Sequence, residues 1–341
     1  MERRTFLKGS SAVSVGMIAG LAGCIDDGSN GTAANGDDPE EFPAQPVNKL
    51  IPWSEGGGTD VFSRQTQGGM EEFLDETVQI ENVPGASSLT GLSELYDQPN
   101  DGYYMGTATP PSSTLAWLLD EPQWDITEFE PIGAIGSFYY TFIVNSEYDH
   151  IENFEDLRDA YNDGEITQVG YQGVGDASDI IVEMLRDEYD FGWEDKVPYD
   201  GGGPTREAID SNEVPAGVVT NTTGQGADED GDSNLVFSVS SEELPYDPDL
   251  DTIANYDGPD MDFIANFTLL EVAPPGTPEE YLDILSEAVE AGVNSDQAQE
   301  WAEDTANDLY YMSREESQDV LADAVAGIED NIDVAEYREQ I

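Results

Sequence analysis

The feature that most constrains the fold of this chain is a run of three glycines, Gly56 to Gly58, between an apolar segment and a helical one. Residues 47–51 are typical of a buried strand, and a helix is predicted over residues 60–74. Residues without a Cβ permit a sharp turn and close approach to the backbone amides. Because the first N–H groups of a helix are unpaired and partly positive, this stretch indicates either a tight structural turn or an anion-binding cradle.

A second unit repeats the order of strand, glycine turn and helix. Residues 165–170 predict a strand, Gly173 and Gly175 lie in the turn, and residues 179–189 predict a helix. The alternation of strands with helices favours an α/β fold. The repeat favours the anion cradle over the structural turn, since it supplies a second, opposing glycine turn.

A third loop is predicted to lie beside the first. The strand predicted at residues 103–107 runs into a polar loop, residues 108–113, at the start of another helix. Ligands of open α/β sheets bind beyond the carboxyl ends of the strands. We therefore expect loops 53–59 and 108–113 to share one rim of the sheet.

The charge of the chain excludes one class of partner. It has 74 acidic residues against 11 lysines and arginines, a net charge of −63. With no basic stripe to meet phosphates, nucleic-acid binding is excluded. Aromatic residues and regular strand and helix patterns argue against disorder as the reason for this acidity. Acidic, lysine-poor surfaces are typical of proteins from salt-accumulating environments, so we expect a halophilic protein that loses structure at low salt. At molar salt the Debye length is about 3 Å, so the net charge does not set the sign of the ligand.

Histidine and cysteine usage excludes further chemistry. The single histidine, His150, and the single cysteine, Cys24, rule out a histidine-rich metal site and an internal disulfide. We expect no cofactor and no metal. Residues 227–234 alternate acidic side chains as a calcium loop does, but the glycine and the final ligand position do not fit. A solvated loop is favoured there, with a calcium site as the alternative.

The amino terminus has the pattern of an export signal. Arg3 and Arg4 form a twin-arginine motif, and an apolar run ends just before Cys24 in a sequence similar to the lipobox of lipoproteins. Residues 1–23 are therefore predicted to be a signal peptide, and Cys24 a lipid anchor. Residues 24–45 are predicted to be a flexible tether. The folded part is expected at the extracellular face of the cytoplasmic membrane, held by lipid only.

The remaining pattern predicts strands at residues 131–135, 139–145 and 262–272, and a carboxyl-terminal helix over 313–328. Ser313 and Glu316 form a capping box at the start of that helix. The tail helices are expected to cover the first unit.

Four motifs in register resemble the Bug family of extracytoplasmic solute receptors, which serve tripartite tricarboxylate transporters. The resemblance spans residues 46–330. The motifs are residues 51–60 (IPWSEGGGTD) with Arg64, residues 81–86 (ENVPGA), residues 101–103 (DGY) and residues 197–202 (VPYDGG).

The resemblance implies a two-lobed fold like that of type II periplasmic binding proteins. Each lobe would be a mixed sheet flanked by helices, with two strands as the hinge. Lobe 1 would comprise residues 46–140 and 265–341, and lobe 2 residues 141–264. The implied function is capture of a small carboxylate, without catalysis, by a monomer that docks on a large and a small integral membrane subunit.

The expected ligand-binding residues come from both units. The first unit contributes Trp53, Ser54, Gly56, Gly57, Gly58, Thr59, Asp60, Thr109 and Ser112. The second unit contributes Gln172, Gly173, Val174, Gly175, Ser178, Thr220 and Asn221. Asp60, together with Arg64, is expected to hold the first turn in shape more than to touch the ligand.

The sequence departs from the family pattern at two positions: Tyr171 stands before the second glycine turn, where the family usually has serine or threonine, and Asp176 stands after it, where a hydroxyl side chain is frequent. Asp176 would repel a ligand carboxylate unless it faces away or binds an amine, so an amino acid is an alternative ligand. Two further alternatives are a receptor that feeds a sensor or another transporter class, and a hydrolase or lyase that uses Asp60 and Asp176 as paired carboxylates.

Overall fold

The computed structural model describes residues 42–241, 249–305 and 307–340. The predicted signal peptide, Cys24 and most of the predicted tether lie outside these residues. Phe42 and Ala44, at the end of that tether, already contact the fold, since Phe42 packs on the rings of Tyr103 and Tyr281. Within the described ranges, every helix is too short or too polar to cross a membrane.

The described residues form a curled ten-stranded sheet. The order along its main path is β2-β1-β3-β10-β4-β7-β5-β6, and β8 and β9 extend from β4. The strands are β1 (Val47–Ile51), β2 (Val78–Asn82), β3 (Tyr104–Ala108), β4 (Glu130–Asn145), β5 (Gln168–Tyr171), β6 (Asp195–Pro198), β7 (Ala216–Thr220), β8 (Ser233–Ser238), β9 (Asp251–Thr252) and β10 (Asn266–Ala273).

Helices flank the sheet and fit the predicted α/β class. They are α1 (Gly58–Leu74), α2 (Leu89–Tyr96), α3 (Ser112–Asp120), α4 (Phe154–Asn162), α5 (Ala177–Tyr189), α6 (Gly202–Asp210), α7 (Asn221–Asp230), α8 (Asp262–Ala265), α9 (Glu279–Val293), α10 (Asp296–Thr305), α11 (Val320–Asn331) and α12 (Val334–Gln340). Parallel strands joined through helices place their carboxyl ends on one edge, which is where the site forms.

Two antiparallel strands join the two halves of the sheet. The first part of β4 pairs with β10, and its last residues pair with β7 and β8. The two strands predicted at 131–135 and 139–145 are thus one strand of 16 residues. The strand predicted at 262–272 begins instead as the short helix α8 and continues as β10. β4 and β10 occupy the place predicted for the hinge, while the lobe boundaries stay a prediction.

Apolar side chains fill both faces of the sheet. On one face of β1, Val47 and Ile51 are fully buried. On the other, Leu50 packs in a cluster with Leu92 and Leu95 of α2. The second half is dominated by aromatic contacts around Phe154, such as the edge-to-face contact with Phe191 at 5.0 Å. Both halves of the sheet therefore have a packed apolar core, which holds the strand ends and the loops at the shared edge in place.

A buried ion pair crosses the first half. Lys49 Nζ of β1 lies 2.8 Å from Glu271 Oε1 of β10, and both side chains are fully buried. Thr107 of β3 also donates to Glu271. Burial raises the pKa of Glu271, although Lys49 and Thr107 oppose the rise. Lys196 of the second half is partly exposed and pairs with Asp179 at 2.7 Å.

Two predicted segments differ in the structure. The segment predicted as a solvated loop at 227–234 begins as the last turn of α7, where Asp228 accepts from the N–H of Leu235 and Asp230 pairs with Arg206. These acidic groups therefore have protein partners, and no cluster in the described ranges is placed to hold a metal ion. The carboxyl-terminal helix starts at Val320 and not at Ser313, and residues 314–319 form turns. The hydrogen bonds of the predicted capping box between Ser313 and Glu316 are nevertheless present.

Candidate functional site

The turn between β1 and α1 is held by the carboxylate of Asp60. It accepts hydrogen bonds from the N–H of Gly56 at 2.9 Å and from Asn82 Nδ2 at 3.0 Å. Arg64 Nε donates to both of its oxygens. Burial disfavours the charged form, but these hydrogen bonds outweigh burial and lower the pKa of Asp60. Asp60 and Arg64 thus shape the turn from behind, as predicted.

The loop after β3 lies against this turn. The indole N–H of Trp53 donates to Thr109 Oγ1 at 2.9 Å, and the Thr109 N–H donates to Ser113 Oγ at 3.0 Å. Loops 53–59 and 108–113 therefore share one rim, which confirms the expectation from strand order. The bond to Thr109 fixes the edge of the Trp53 ring beside the glycine turn.

Loops of the second half close on the same rim. A Cβ at Gly58 would lie 2.9 Å from Thr220 Oγ1 at the end of β7. A Cβ at Gly201, whose φ is +98°, would lie 2.7 Å from Ser54 Oγ. Both contacts are closer than real Cβ atoms allow, so glycine is what permits the two halves to approach.

Three helix starts meet at this point. α1, α6 and α7 begin after Gly57, Gly201 and Thr220, and within the described part of the chain none of these starts has a side-chain cap. Their first N–H groups therefore carry unneutralised partial positive charge. Their convergence makes the space between them favourable for an anion.

Two cavities lie in the space between the described halves. The first, about 20 Å³, has room for about one water molecule, and the second is about 180 Å³. Trp53 and Gln172 line both cavities. The first is otherwise lined by Ser54, Gly57, Gly58, Thr59, Thr109, Ser112, Phe138, Tyr140, Gly202, Thr220 and Phe267. The second is otherwise lined by Pro84, Gly85, Ala86, Ser87, Ser88, Gly173, Val174, Pro198, Tyr199 and Asp200.

Two buried polar atoms at the first cavity lack partners. Ser54 Oγ and Gln172 Nε2 have no hydrogen-bond partner among the described residues. The Gln172 residue is only 6% exposed, so water reaches it poorly. Unpaired buried donors cost free energy, and a ligand oxygen in the cavity would satisfy them.

Asp176 is turned away from the cavities. Its oxygens accept hydrogen bonds from Ser112 Oγ, from Tyr140 Oη at 2.7 Å and from the N–H of Ser178 at 2.9 Å. It is fully buried and caps α5. Of the two alternatives for Asp176, the structure favours the one in which it faces away from the ligand, because its oxygens already have donors. Burial, and next the adjacent carboxylate, raise the pKa of Tyr140, so its hydroxyl stays a donor.

Nine of the predicted ligand residues line the first cavity, and Gly173 and Val174 line the second. Gly56 is exposed on the turn, and Asp60 lies behind it. Gly175, Ser178 and Asn221 are engaged in bonds within the protein: the Gly175 N–H with Asp179, the Ser178 hydroxyl with Asp176, and Asn221 Oδ1 with the Tyr139 N–H.

The sequence prediction missed three aromatic residues of the first cavity, Phe138, Tyr140 and Phe267. All three lie within β4 or β10 rather than in loops. It also left out residues 84–88 and 198–202, although both segments overlap the motifs that carried the family resemblance. Those motifs were the available signal for the second cavity.

The curled sheet, the two connecting strands and the cavity between facing helix starts define a solute-binding protein of the periplasmic type. Residues 62–334 match the family described as the tripartite tricarboxylate transporter family receptor, TctC, and the chain belongs to that family. Proteins of this family and fold are solute-binding receptors rather than enzymes. Asp60 and Asp176, both tied up in internal hydrogen bonds, are thus not a catalytic pair.

Individual relatives agree with this assignment. A UPF0065 protein of Bordetella pertussis is 24% identical over 263 residues, which cover 75% of this chain and 79% of that protein. The solved structure of the periplasmic binding protein BugD has a TM-score of 0.75 at 24% identity and covers 88% of this chain and 97% of its own. MatC from Rhodopseudomonas palustris, solved with bound malate, has a TM-score of 0.74 at 19% identity and covers 85% and 99%.

Proposed function

We propose that this chain captures a small carboxylate and delivers it to the membrane subunits of a tripartite tricarboxylate transporter. The observation that carries the proposal is the meeting of three uncapped helix starts at a cavity that also holds the unpartnered Gln172 Nε2. Partial positive charge from helix ends binds a carboxylate without an arginine. The malate bound to the similar fold of MatC supports this choice of ligand class.

In this proposal the ligand carboxylate lies against the amides of Gly58 and Thr59, at the start of α1. Ser54 Oγ and Gln172 Nε2 donate to it from opposite halves of the sheet. The ligand thus joins the two halves, and the rest of the molecule extends past Trp53 into the second cavity. The closed form then docks on the large and small membrane subunits, and no bond of the ligand is broken.

Thermal unfolding in molar salt tests the ligand class. A ligand that binds only the folded state raises the free energy of unfolding by about 2.7 kcal/mol at a hundredfold excess over Kd. We expect at least one small carboxylate to raise the melting temperature and Gln172→Leu to abolish the shift. Gln67→Leu, whose side chain bonds Glu71 and Val78 away from both cavities, is the control that keeps it. No shift with any mono-, di- or tricarboxylate or amino acid would refute the proposal.

The lipid anchor is a separate part of the proposal, and it rests on the twin-arginine motif and Cys24. The mature protein is expected to begin at Cys24, to carry lipid there and to face the outside of the cytoplasmic membrane. Mass spectrometry of the membrane fraction should find a lipid-modified Cys24, and Cys24→Ser should release the protein. An intact Met1 would contradict the assignment. Delivery to a sensor or another transporter class is the alternative, which co-purification with membrane subunits would decide.

A further inference from the structure

We propose that residues 86–88 form a gate over the second cavity, and that Ser87 holds this gate shut by a hydrogen bond to the opposite half of the sheet. The gate segment lies between β2 and α2 of the first half. It lines the second cavity together with Gly173 and Val174 of the second half. The inference rests on the proposed function, since the gate controls how fast the captured ligand leaves.

The backbone of the gate segment has an unfavourable conformation. Ala86, Ser87 and Ser88 have φ angles of +48°, +49° and +86°, all in the left-handed region. Residues with a Cβ are uncommon there, and they persist only where the surrounding structure holds them. The described ranges contain no second run of three such residues. Contacts of the segment with its surroundings must therefore hold it in place.

Ser87 makes one of these contacts across the cavity. Its hydroxyl donates to the carbonyl oxygen of Val174 at 3.0 Å. A Cβ at Gly173 would lie 3.3 Å from the same hydroxyl, so the backbone of the second half lies close to the gate segment. Val174 is 52% exposed, which places this hydrogen bond at the opening of the cavity to solvent. Because one partner belongs to each half, the bond breaks when the halves separate.

Ser88 connects the gate segment to the first cavity. It is fully buried, and its hydroxyl donates to Ser113 Oγ at 3.1 Å. Ser113 Oγ in turn accepts from the N–H of Thr109, and Thr109 Oγ1 accepts from the indole of Trp53. Trp53 and Thr109 line the first cavity. A ligand bound there meets side chains that a continuous hydrogen-bond network joins to the gate.

These contacts give the gate two states. In the closed state, the bond from Ser87 to Val174 and the buried Ser88 hold the left-handed backbone. When the halves separate, Ser87 loses its partner, and the segment relaxes toward a more favourable backbone. The hydrogen bond thus favours closure and the backbone strain opposes it. Their balance sets how long the ligand stays bound.

Two substitutions in the gate segment should have opposite effects on ligand release. Ser87→Ala removes the hydroxyl but keeps the Cβ, so dissociation should become about two- to tenfold faster. The Ala86 side chain is exposed, and Ala86→Gly relieves one left-handed residue without loss of packing. Dissociation from this variant should become about two- to tenfold slower. Stopped-flow tryptophan fluorescence in molar salt measures both rates, with malate, succinate and adipate as probes.

Each substitution has a matched control away from both cavities. Ser313→Ala removes a half-buried hydroxyl that bonds Glu316. Asp75→Gly relieves a left-handed residue, with a φ of +52°, at the end of α1. Neither control should change the dissociation rate. A rate that changes as much in the controls would assign the effect to overall stability and overturn the gate.

The distance between the halves tests the gate without a ligand. Glu94→Cys on α2 and Glu207→Cys on α6 place spin labels at exposed positions, in a chain whose single cysteine is removed by Cys24→Ser. Pulsed electron resonance on the unliganded chain should show a larger fraction of long distances with Ser87→Ala and a smaller one with Ala86→Gly.

The two kinds of measurement separate the gate from the proposed function. Distances that stay the same in the folded variants would overturn the gate and leave carboxylate capture intact. Shifted distances in a chain that binds no mono-, di- or tricarboxylate would overturn carboxylate capture and leave the gate intact.

Discussion

Asp60 determines the shape of the turn, and its effect should depend on pH. Its pKa is lowered in the folded state from an ordinary value of 3.8. A carboxyl group whose pKa is lowered by folding stabilises the fold at pH values above its pKa in the unfolded state. This stabilisation is lost as the pH falls through its pKa in the folded state. We expect Asp60→Asn to lower the free energy of unfolding by about 1–3 kcal/mol at neutral pH.

The difference in the free energy of unfolding between Asp60→Asn and the natural chain should shrink as the pH falls below 3.8. Chemical unfolding at several pH values in constant molar salt measures it. Glu72 is exposed on the same helix, so Glu72→Gln should change the free energy of unfolding little at any pH. A difference that stays constant down to acid pH would show that the Asp60 charge plays no part.

The buried pair of Lys49 and Glu271 predicts a large effect of a single substitution. Lys49→Met leaves the Glu271 carboxylate buried without its cation, which should cost about 3–5 kcal/mol. Adding Glu271→Gln removes the stranded charge, so the double variant should regain part of the loss. Unfolding of both single variants and of the double variant measures the coupling. Additive losses would mean that the two side chains do not interact.

At the scale of residues, the sequence predicted the rim and missed the meaning of Asp176. The glycines and Thr59 were predictable because a glycine turn before a helix has a known geometry. The sequence predicts a helix from residue 179, which leaves Asp176 in the glycine turn, whereas α5 begins at Ala177 with Asp176 as its N-cap. Recognition of an aspartate as an N-cap with Ser178 two residues on would have revealed its role.

Among the elements, α1 offers a test of how closely the halves must approach. Gly58→Ala places a methyl group against Thr220 across the site, at a spacing that no Cβ tolerates. We expect this variant to fold but to lose at least about tenfold in ligand affinity, since a small displacement of groups that position a ligand is costly.

The matched control for Gly58→Ala lies on the same helix. Gly68 is exposed, and a Cβ there meets its nearest neighbour at an ordinary 3.6 Å. Gly68→Ala should keep ligand affinity and raise stability by about 0.5–1 kcal/mol. Calorimetric titration and thermal unfolding of the two variants separate binding from folding. Equal affinities would show that the contact at Gly58 is not needed for binding.

Element prediction failed where tertiary packing overrides local pattern. Residues 136–138 contain a glycine that suggests a break, yet β4 continues through Gly136 because Ser137 pairs with Thr268 of β10. The acidic segment before Gly231 has the composition of a loop, but α7 packs on β8 and remains helical. The first cavity is also lined by residues of the two connecting strands: Phe138 and Tyr140 of β4 and Phe267 of β10. A prediction that looks for site residues in loops does not find them.

For the molecule as a whole, the net charge predicts a dependence on salt. Repulsion among 74 acidic residues acts over a Debye length of about 30 Å at 0.01 M salt and about 3 Å at 1 M. We expect the melting temperature and the far-ultraviolet circular dichroism signal to fall on dialysis into dilute buffer. Potassium and sodium chloride at equal ionic strength separate screening from specific ion binding. A melting temperature independent of salt would refute the halophilic assignment.

The few lysines have a practical consequence for testing the proposed docking on membrane subunits. Of the three in the chain, Lys8 lies outside the described residues, Lys49 is fully buried, and Lys196 is 25% exposed and paired with acidic groups. Amine-reactive cross-linkers and amine coupling to sensor surfaces will therefore find almost no target on the described fold. Carbodiimide activation of carboxylates will find many. Cross-linking of this fold to the proposed membrane subunits should therefore use its carboxylates, with the lysines supplied by the partner.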